Sequence, residues 1–185
     1  MKNLNDYVRV YDNTLNESIC FEIINQFISA SQNHEKIDNH GRPKFTQLNY
    51  AKFFSRHSTF TPIVKTFKQY IDIYQKDTRT GDYQFPNTYA FEEFRVKRYR
   101  PEDNERFDLH TDVGDYNSAK RFLAFFFYLN DVEEGGETVF PTLDISIKPK
   151  TGRLLVFPPL WMFPHSGMMP ISNNKYILGS YLHYL

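Results

Sequence analysis

Residues 123–129 read LAFFFYL, seven apolar or aromatic side chains in a row with no charge among them. A strand with one wet face alternates polar and apolar residues, so an unbroken run of strand length predicts a strand covered on both faces. Outward from it, short aromatic or β-branched runs recur at 89–99, 121–129, 138–140, 145–147, 153–157 and 176–184. Gly135-Gly136, Lys148-Pro149-Lys150-Thr151-Gly152 and Ser172-Asn173-Asn174 punctuate them. The chain of 185 residues has 18 Phe and 13 Tyr against one Trp, and flat rings favour pleated surfaces. Many short strands with frequent turns predict a mainly β, jelly-roll architecture.

The first 75 residues carry helical signals instead. Thr14-Leu15-Asn16-Glu17 fits a capping box, and Leu15, Ile19, Cys20, Ile23, Ile24, Phe27 and Ile28 then follow helical spacing. A second helix is predicted from Thr61-Pro62, with Ile63, Phe67, Tyr70, Ile71 and Tyr74 as its stripe. One-sided stripes imply that both helices lie against a sheet. Residues 34–44, with Gly41 and Pro43, read as a loop, and 75–87 as a polar connection. Residues 45–54 read as either a strand or a mobile substrate flap. No internal repeat or domain boundary is visible. The expectation is one domain over 1–185, with 1–88 a helical buttress and 89–185 the β core.

Lys plus Arg and Asp plus Glu balance at 22 each, so no global field points to nucleic acid or an anionic membrane. The one cysteine, Cys20, falls on the first apolar stripe and reads as a buried small hydrophobe. With no apolar signal segment at MKNLNDYVRV and no stretch long enough to span a bilayer, the expectation is a soluble, cytoplasmic protein.

The chemistry centres on FDLHTDVGD, residues 107–115. His110 and Asp112 would point the same way on a strand. His34, His40, His57 and His183 read as solvated or packed histidines. His165 differs, because it follows the apolar WMFP and returns 55 residues after His110. Two histidines and a carboxylate suit a non-haem Fe(II) centre that keeps open positions; zinc would accept the same ligands, although a closed structural zinc site wants a fourth. Spacing alone leaves both open.

From about Phe91 onward the sequence resembles the Fe(II)- and 2-oxoglutarate-dependent oxygenases of the prolyl 4-hydroxylase type. The resemblance is carried by Arg98-Tyr99, His110-Thr111-Asp112, Tyr128-Leu129-Asn130-Asp131, Gly135 to Pro141 (GGETVFP), Lys148 to Gly152 (KPKTG), His165-Ser166-Gly167 and Lys175. It implies a double-stranded β-helix, a cupin-like jelly roll with the N-terminal helices packed on it. It implies His110, Asp112 and His165 as iron ligands, and Lys175 and Tyr128 as partners of the 2-oxoglutarate C5 carboxylate, with Tyr99 nearer the iron. By position alone Lys175 would be a solvated lysine, Tyr128 a core aromatic and Tyr99 a strand-edge residue.

The implied activity is hydroxylation with Fe(II), 2-oxoglutarate and O₂, with ascorbate as a reductant, releasing succinate and CO₂. The implied substrate is a prolyl residue of a peptide or protein. A free amino acid or other small molecule is the alternative within the same chemistry, and a non-catalytic jelly-roll binding module the alternative outside it. Asp112 argues against a halogenating variant, where a small residue makes room for halide. Balanced charge argues against a nucleic-acid repair oxygenase. Two departures from the family pattern, Thr111 between the ligands and Tyr181 where tryptophan is frequent, are expected to lie clear of the ligands. The bulky segment 157–161 (FPPLW) is expected to shape the mouth of the site. The basic run 95–100 reads as a solvated strand face balanced by Glu92 and Glu93, or as a contact for an acidic partner.

Overall fold

The computed structural model describes residues 3–39, 43–81 and 83–185; His40 and Gly41, weighed above, lie outside the described residues. Two antiparallel sheets face each other. The larger runs β1 (Arg9–Tyr11), β10 (Leu154–Phe157), β7 (Arg121–Tyr128), β12 (Lys175–Tyr184), β5 (Arg95–Tyr99), β3 (Lys44–Asn49), β2 (Glu35–Asp38), with β4 (Tyr89–Phe91) also paired to β12. The smaller runs β6 (Phe107–His110), β11 (His165–Gly167), β8 (Thr138–Phe140), β9 (Ile145–Ile147). Helices α1 (Glu17–Ser29) and α3 (Phe60–Thr78) cover the outer face of the larger sheet, and a short α2 (Tyr50–Phe54) follows β3. This is the mainly β jelly roll expected from the strand count.

LAFFFYL is the middle of β7, bonded to β10 on one side and β12 on the other. Its side chains alternate, so the run divides between two cores. Leu123, Phe125 and Phe127 join Ile23, Phe27, Ile63, Phe67 and Ile71 from the helices. Phe67 has its ring centroid 4.0 Å from that of Phe125 and 4.4 Å from that of Phe127. Ala124 and Tyr128 face the other way and join Tyr99, Leu155, Phe157, Phe140 and Ile177 between the sheets. Cys20 is fully buried on α1, and burial pushes its thiol up to about 12, so it packs as a hydrophobe.

Several local expectations are corrected. Asn16 caps α1, accepting from the Ser18 N–H. Thr14 instead donates to the Gly152 carbonyl at 2.7 Å, a bond that ties the helix start to the KPKTG turn. Gly152 sits at φ +72°, where a Cβ would meet the Leu15 carbonyl at 2.3 Å, so only glycine fits that turn. Ile28 is 55% exposed and leaves the stripe. Helix α3 is capped at Thr59, two residues earlier than the expected cap Thr61, so Pro62 lies inside its first turn, and it runs from Phe60 to Thr78.

The predicted loop at 34–44 contains β2, which pairs with β3 in a hairpin. Residues 45–54 are not a free flap: β3 is hydrogen-bonded on both edges and Tyr50 of α2 is fully buried. The first 88 residues therefore supply β1, β2 and β3 to the larger sheet and are more than a helical buttress. Among the described residues, no helix is long and apolar enough to cross a membrane.

Candidate metal and co-substrate site

His110 is the last residue of β6, Asp112 lies two residues beyond it, and His165 opens β11, opposite His110 in the register. Their ligand atoms all lie within 4.8 Å of one another. His110 Nε2 is 3.6 Å from Asp112 Oδ1, and His165 Nε2 is 3.6 Å from Asp112 Oδ2. Each imidazole is fixed through its other nitrogen. His110 Nδ1 bonds the Asp108 carbonyl at 2.7 Å and His165 Nδ1 the Phe163 carbonyl at 3.1 Å. Since only Nδ1–H can donate to a carbonyl, both Nε2 lone pairs are left for a metal.

The rings are held sideways as well: Phe107 stacks on His110 at 3.6 Å, and Phe140 and Phe157 flank His165. Burial lowers the pKa of His165, which keeps it neutral as a ligand must be. Burial would raise that of Asp112, but the neighbouring imidazoles of His110 and His165 and the hydrogen bond from Tyr181 outweigh it and hold the carboxyl well below its usual range. This donor set, a carboxylate and two imidazoles with satisfied outer nitrogens, fits Fe(II).

The cluster lines a cavity of about 420 Å³ that also receives Lys175, Tyr99 and Thr138. Lys175, expected on position alone to be solvated, is only 2% exposed. Its ammonium lies 5.2 Å from the Tyr99 ring and 5.7 Å from that of Tyr128. Burial pulls its pKa down to about 7, against the pull of Glu137. No carboxylate among the described residues lies within ion-pair distance of it, so an anion entering the cavity would find a buried cation without a partner.

Gly136, at φ +75°, passes close enough that a Cβ there would lie 3.4 Å from Lys175 Cδ. Tyr128 donates its hydroxyl to Thr138 Oγ1 at 2.7 Å, and it is the threonine that lines the cavity. Sequence reasoning passed over Thr138. Tyr99 is opposite Lys175 in the strand register and buried, rather than at a strand edge.

Tyr181 overturns an expectation, because its hydroxyl donates to Asp112 Oδ1 at 2.7 Å. Arg121 stacks over the Tyr181 ring at 4.1 Å, donates to the Asp112 carbonyl oxygen at 2.9 Å, and is held by Glu92 through two bonds of 2.8 and 3.0 Å. The signal was present in the sequence: Lys175, Ile177, Gly179 and Tyr181 must share one face of a strand. Thr111 bonds the Val113 carbonyl at 3.3 Å and lines the cavity without touching a ligand side chain.

The basic run 95–100 divides. Arg95, Lys97 and Tyr99 line the cavity, Arg95 paired there with Glu35 and Glu93, whereas Arg98 donates to Thr46 and Arg100 pairs with Glu102 and Asp103. In the segment 157–161, Phe157 is buried against His165 and Trp161 is 77% exposed, off the cavity wall. A second recess continues past Asp112 along Gly114, Asp115, Ser118, Lys120 and His183. His34 is packed on the Phe27 ring and His57 bonds Gln26, so neither takes part in the site.

Residues 94–183 match the family model of the 2OG-Fe(II) oxygenase superfamily. A protein of Acanthamoeba polyphaga mimivirus, provisionally named a prolyl 4-hydroxylase, is 30% identical over 184 residues that span 91% of this chain and 70% of that protein. A protein of Arabidopsis thaliana provisionally named prolyl 4-hydroxylase 3 is 29% identical over 138 residues, 58% of this chain and 47% of that one. Among solved structures, the 2OG complex of a viral collagen prolyl hydroxylase from Paramecium Bursaria Chlorella virus-1 superposes with a TM-score of 0.77 at 24% identity, covering 97% of both chains. A Trichoplax adhaerens prolyl hydroxylase in complex with a hypoxia inducible factor peptide fragment gives 0.72 at 17% identity, covering 97% of this chain and 85% of that one.

Proposed function

The chain belongs to the 2OG-Fe(II) oxygenase superfamily, with the prolyl 4-hydroxylase type as its nearest character, and from this we propose that it hydroxylates prolyl residues of a peptide or protein substrate. As a 2-oxoglutarate-dependent dioxygenase it uses Fe(II), 2-oxoglutarate and O₂. One observation carries the reading. Three convergent ligand atoms and a buried lysine with no carboxylate partner among the described residues share a single cavity, and a dicarboxylate that chelates through one end needs a cation for the other.

In this reading His110, Asp112 and His165 hold the iron, and Lys175 holds the C5 carboxylate of 2-oxoglutarate. The bound metal and co-substrate supply the oxidising power, with succinate and CO₂ leaving as one oxygen atom enters a substrate C–H bond. The protein's part is placement. Burial lowers the Lys175 pKa to about 7, and an arriving carboxylate favours its charged form. The Tyr128–Thr138 hydroxyl pair offers a donor beside it once either hydroxyl turns. Tyr181 and Arg121 fix the Asp112 carboxylate and its backbone, so the ligand does not swing when the metal's other partners exchange.

The phenyl rings of Phe107, Phe140 and Phe157 keep water from the histidines. The recess beyond Asp112 gives an extended peptide a track across the mouth. We further propose that residues 1–185 act as one catalytic unit, because strands from both halves of the chain share the larger sheet, in a reducing, cytoplasmic setting, which the single buried Cys20 suits.

The test is mass spectrometry of proline-containing peptides incubated with Fe(II), 2-oxoglutarate and O₂. The expected result is gain of one oxygen on proline with matching succinate, and loss of both in His110→Ala and Asp112→Ala. Undiminished turnover in both variants, or oxygen gained only at residues other than proline, would refute it.

A further inference from the structure

A second lysine enters the same cavity, and nothing in the chemistry above uses it. Lys97 stands on β5 opposite Ile177, two residues from Tyr99 and thus about 7 Å further along the strand from the Lys175 end. Its ammonium lies over two aromatic rings, 5.0 Å from the centre of Phe45 and 5.6 Å from that of Phe107, whose ring in turn stacks on His110. No carboxylate among the described residues lies within ion-pair distance of it. Of the other cations in the run 95–100, Arg95 pairs with Glu35 and Glu93, Arg100 with Glu102 and Asp103, and Arg98 donates to Thr46. Burial depresses the Lys97 pKa, and the negative charge that most offsets this is Asp112.

That compensation weakens once the site is filled. A divalent metal bound to Asp112 leaves one positive charge; 2-oxoglutarate brings two negative charges and Lys175 one positive, so these groups sum to zero. Lys97 is then a partly desolvated cation with no counter-ion among the described residues, on the wall of the cavity that holds the metal cluster. Such a charge is costly unless a ligand answers it.

We propose that Lys97 is a specificity-determining residue that reads a carboxylate on the substrate, so that the preferred substrate is acidic beside the residue to be hydroxylated. This rests on the hydroxylase reading above and narrows its substrate class. The carboxylate has two sources, an Asp or Glu side chain flanking the target proline or the C-terminal carboxylate of a proline that ends the chain.

The experiment measures binding without turnover, using the Mn(II)- and 2-oxoglutarate-loaded protein under anaerobic conditions and fluorescent peptides in matched pairs. One pair carries Glu or Gln next to an internal proline; the other ends in proline as free acid or amide. A charge-assisted contact of this kind is worth about tenfold or more in affinity. The expected result is a preference of about tenfold for the acid member of one pair, which names the source of the carboxylate. Lys97→Met should bring that preference within twofold, Lys97→Arg should keep it, and 2-oxoglutarate affinity should change less than twofold in both.

No acid preference in the wild type, a preference that survives in Lys97→Met, or an equal loss across all peptides together with weaker 2-oxoglutarate binding would each overturn the proposal. Repeating both pairs with alanine in place of proline separates the two readings. Acid preference without proline preference leaves Lys97 as proposed and removes the prolyl assignment, and proline preference without acid preference does the reverse.

Discussion

Replacing Lys175 by methionine should move stability and co-substrate binding in opposite directions. Burial lowers this lysine from 10.5 to about 7, and each unit is worth about 1.4 kcal/mol. Holding it in the ligand-free fold at pH 7, rather than in the unfolded chain, therefore costs about 4 kcal/mol. Methionine retains the packing of the aliphatic stem but leaves a small void where the ammonium stood. If half of the cost is recovered, the variant gains about 2 kcal/mol, and its Tm should rise by about 5 °C.

The pH dependence has a definite sign. Between about 7 and 10.5 the unfolded chain keeps the proton that the folded chain has released, so wild-type stability climbs with pH through that window. The variant lacks this slope, and its advantage should shrink from pH 7 to pH 10. With co-substrate the order inverts, because a buried carboxylate has lost its cation; a penalty of about 3 kcal/mol weakens binding by roughly a hundredfold. Thermal melts across that pH range, with titration calorimetry of 2-oxoglutarate into the Mn(II) protein, measure both. A methionine variant less stable than wild type at pH 7, or one that binds 2-oxoglutarate with native affinity, refutes the reasoning.

Other consequences can be measured alongside. Tyr181→Phe removes the hydrogen bond to Asp112 Oδ1 and should weaken metal binding by about tenfold; Mn(II) titration followed by electron paramagnetic resonance reads this, and unchanged affinity would rule out a positioning role. Phe67→Ala opens the contact with Phe125 and Phe127 and should cost about 3–5 kcal/mol in urea unfolding while leaving 2-oxoglutarate affinity in the surviving folded protein intact. Gly152→Ala forces a Cβ against the Leu15 carbonyl at positive φ and should cost about 1–3 kcal/mol, with faster amide exchange at the start of α1.

Periodicity made much of the fold legible. Strands β8 and β9 fall on the residues expected, and the α3 stripe of Ile63, Phe67, Ile71 and Tyr74 is buried, because alternation and helical spacing are direct consequences of burial. Strand β2 escaped because Glu35-Lys36-Ile37-Asp38 is an edge strand with three of its four residues exposed, so burial left no pattern on it. Thr14 misled because a hydroxyl able to cap a helix can equally bond a distant turn, and here Gly152 has it. At the site, the sequence order of His110, Asp112, His165 and Lys175 indicated the cluster, but the tautomer-fixing carbonyls of Asp108 and Phe163 are backbone groups that no side-chain motif encodes. Lys97 was hidden by its neighbours, since a run of alternating cations looks solvated until the sheet decides which face is inward.

Strand β7 is a party wall, with the helix-side core leaning on Leu123, Phe125 and Phe127 and the chamber between the sheets on Ala124 and Tyr128. Positions 123, 125 and 127 can drift among large apolar residues with consequences confined to folding, while 124 and 128 answer to chemistry. The two cannot be exchanged. Inserting or deleting one residue in this strand would turn every phenyl ring towards the wrong room, so lineages should vary the length of the chain at the turns that flank it and never within it.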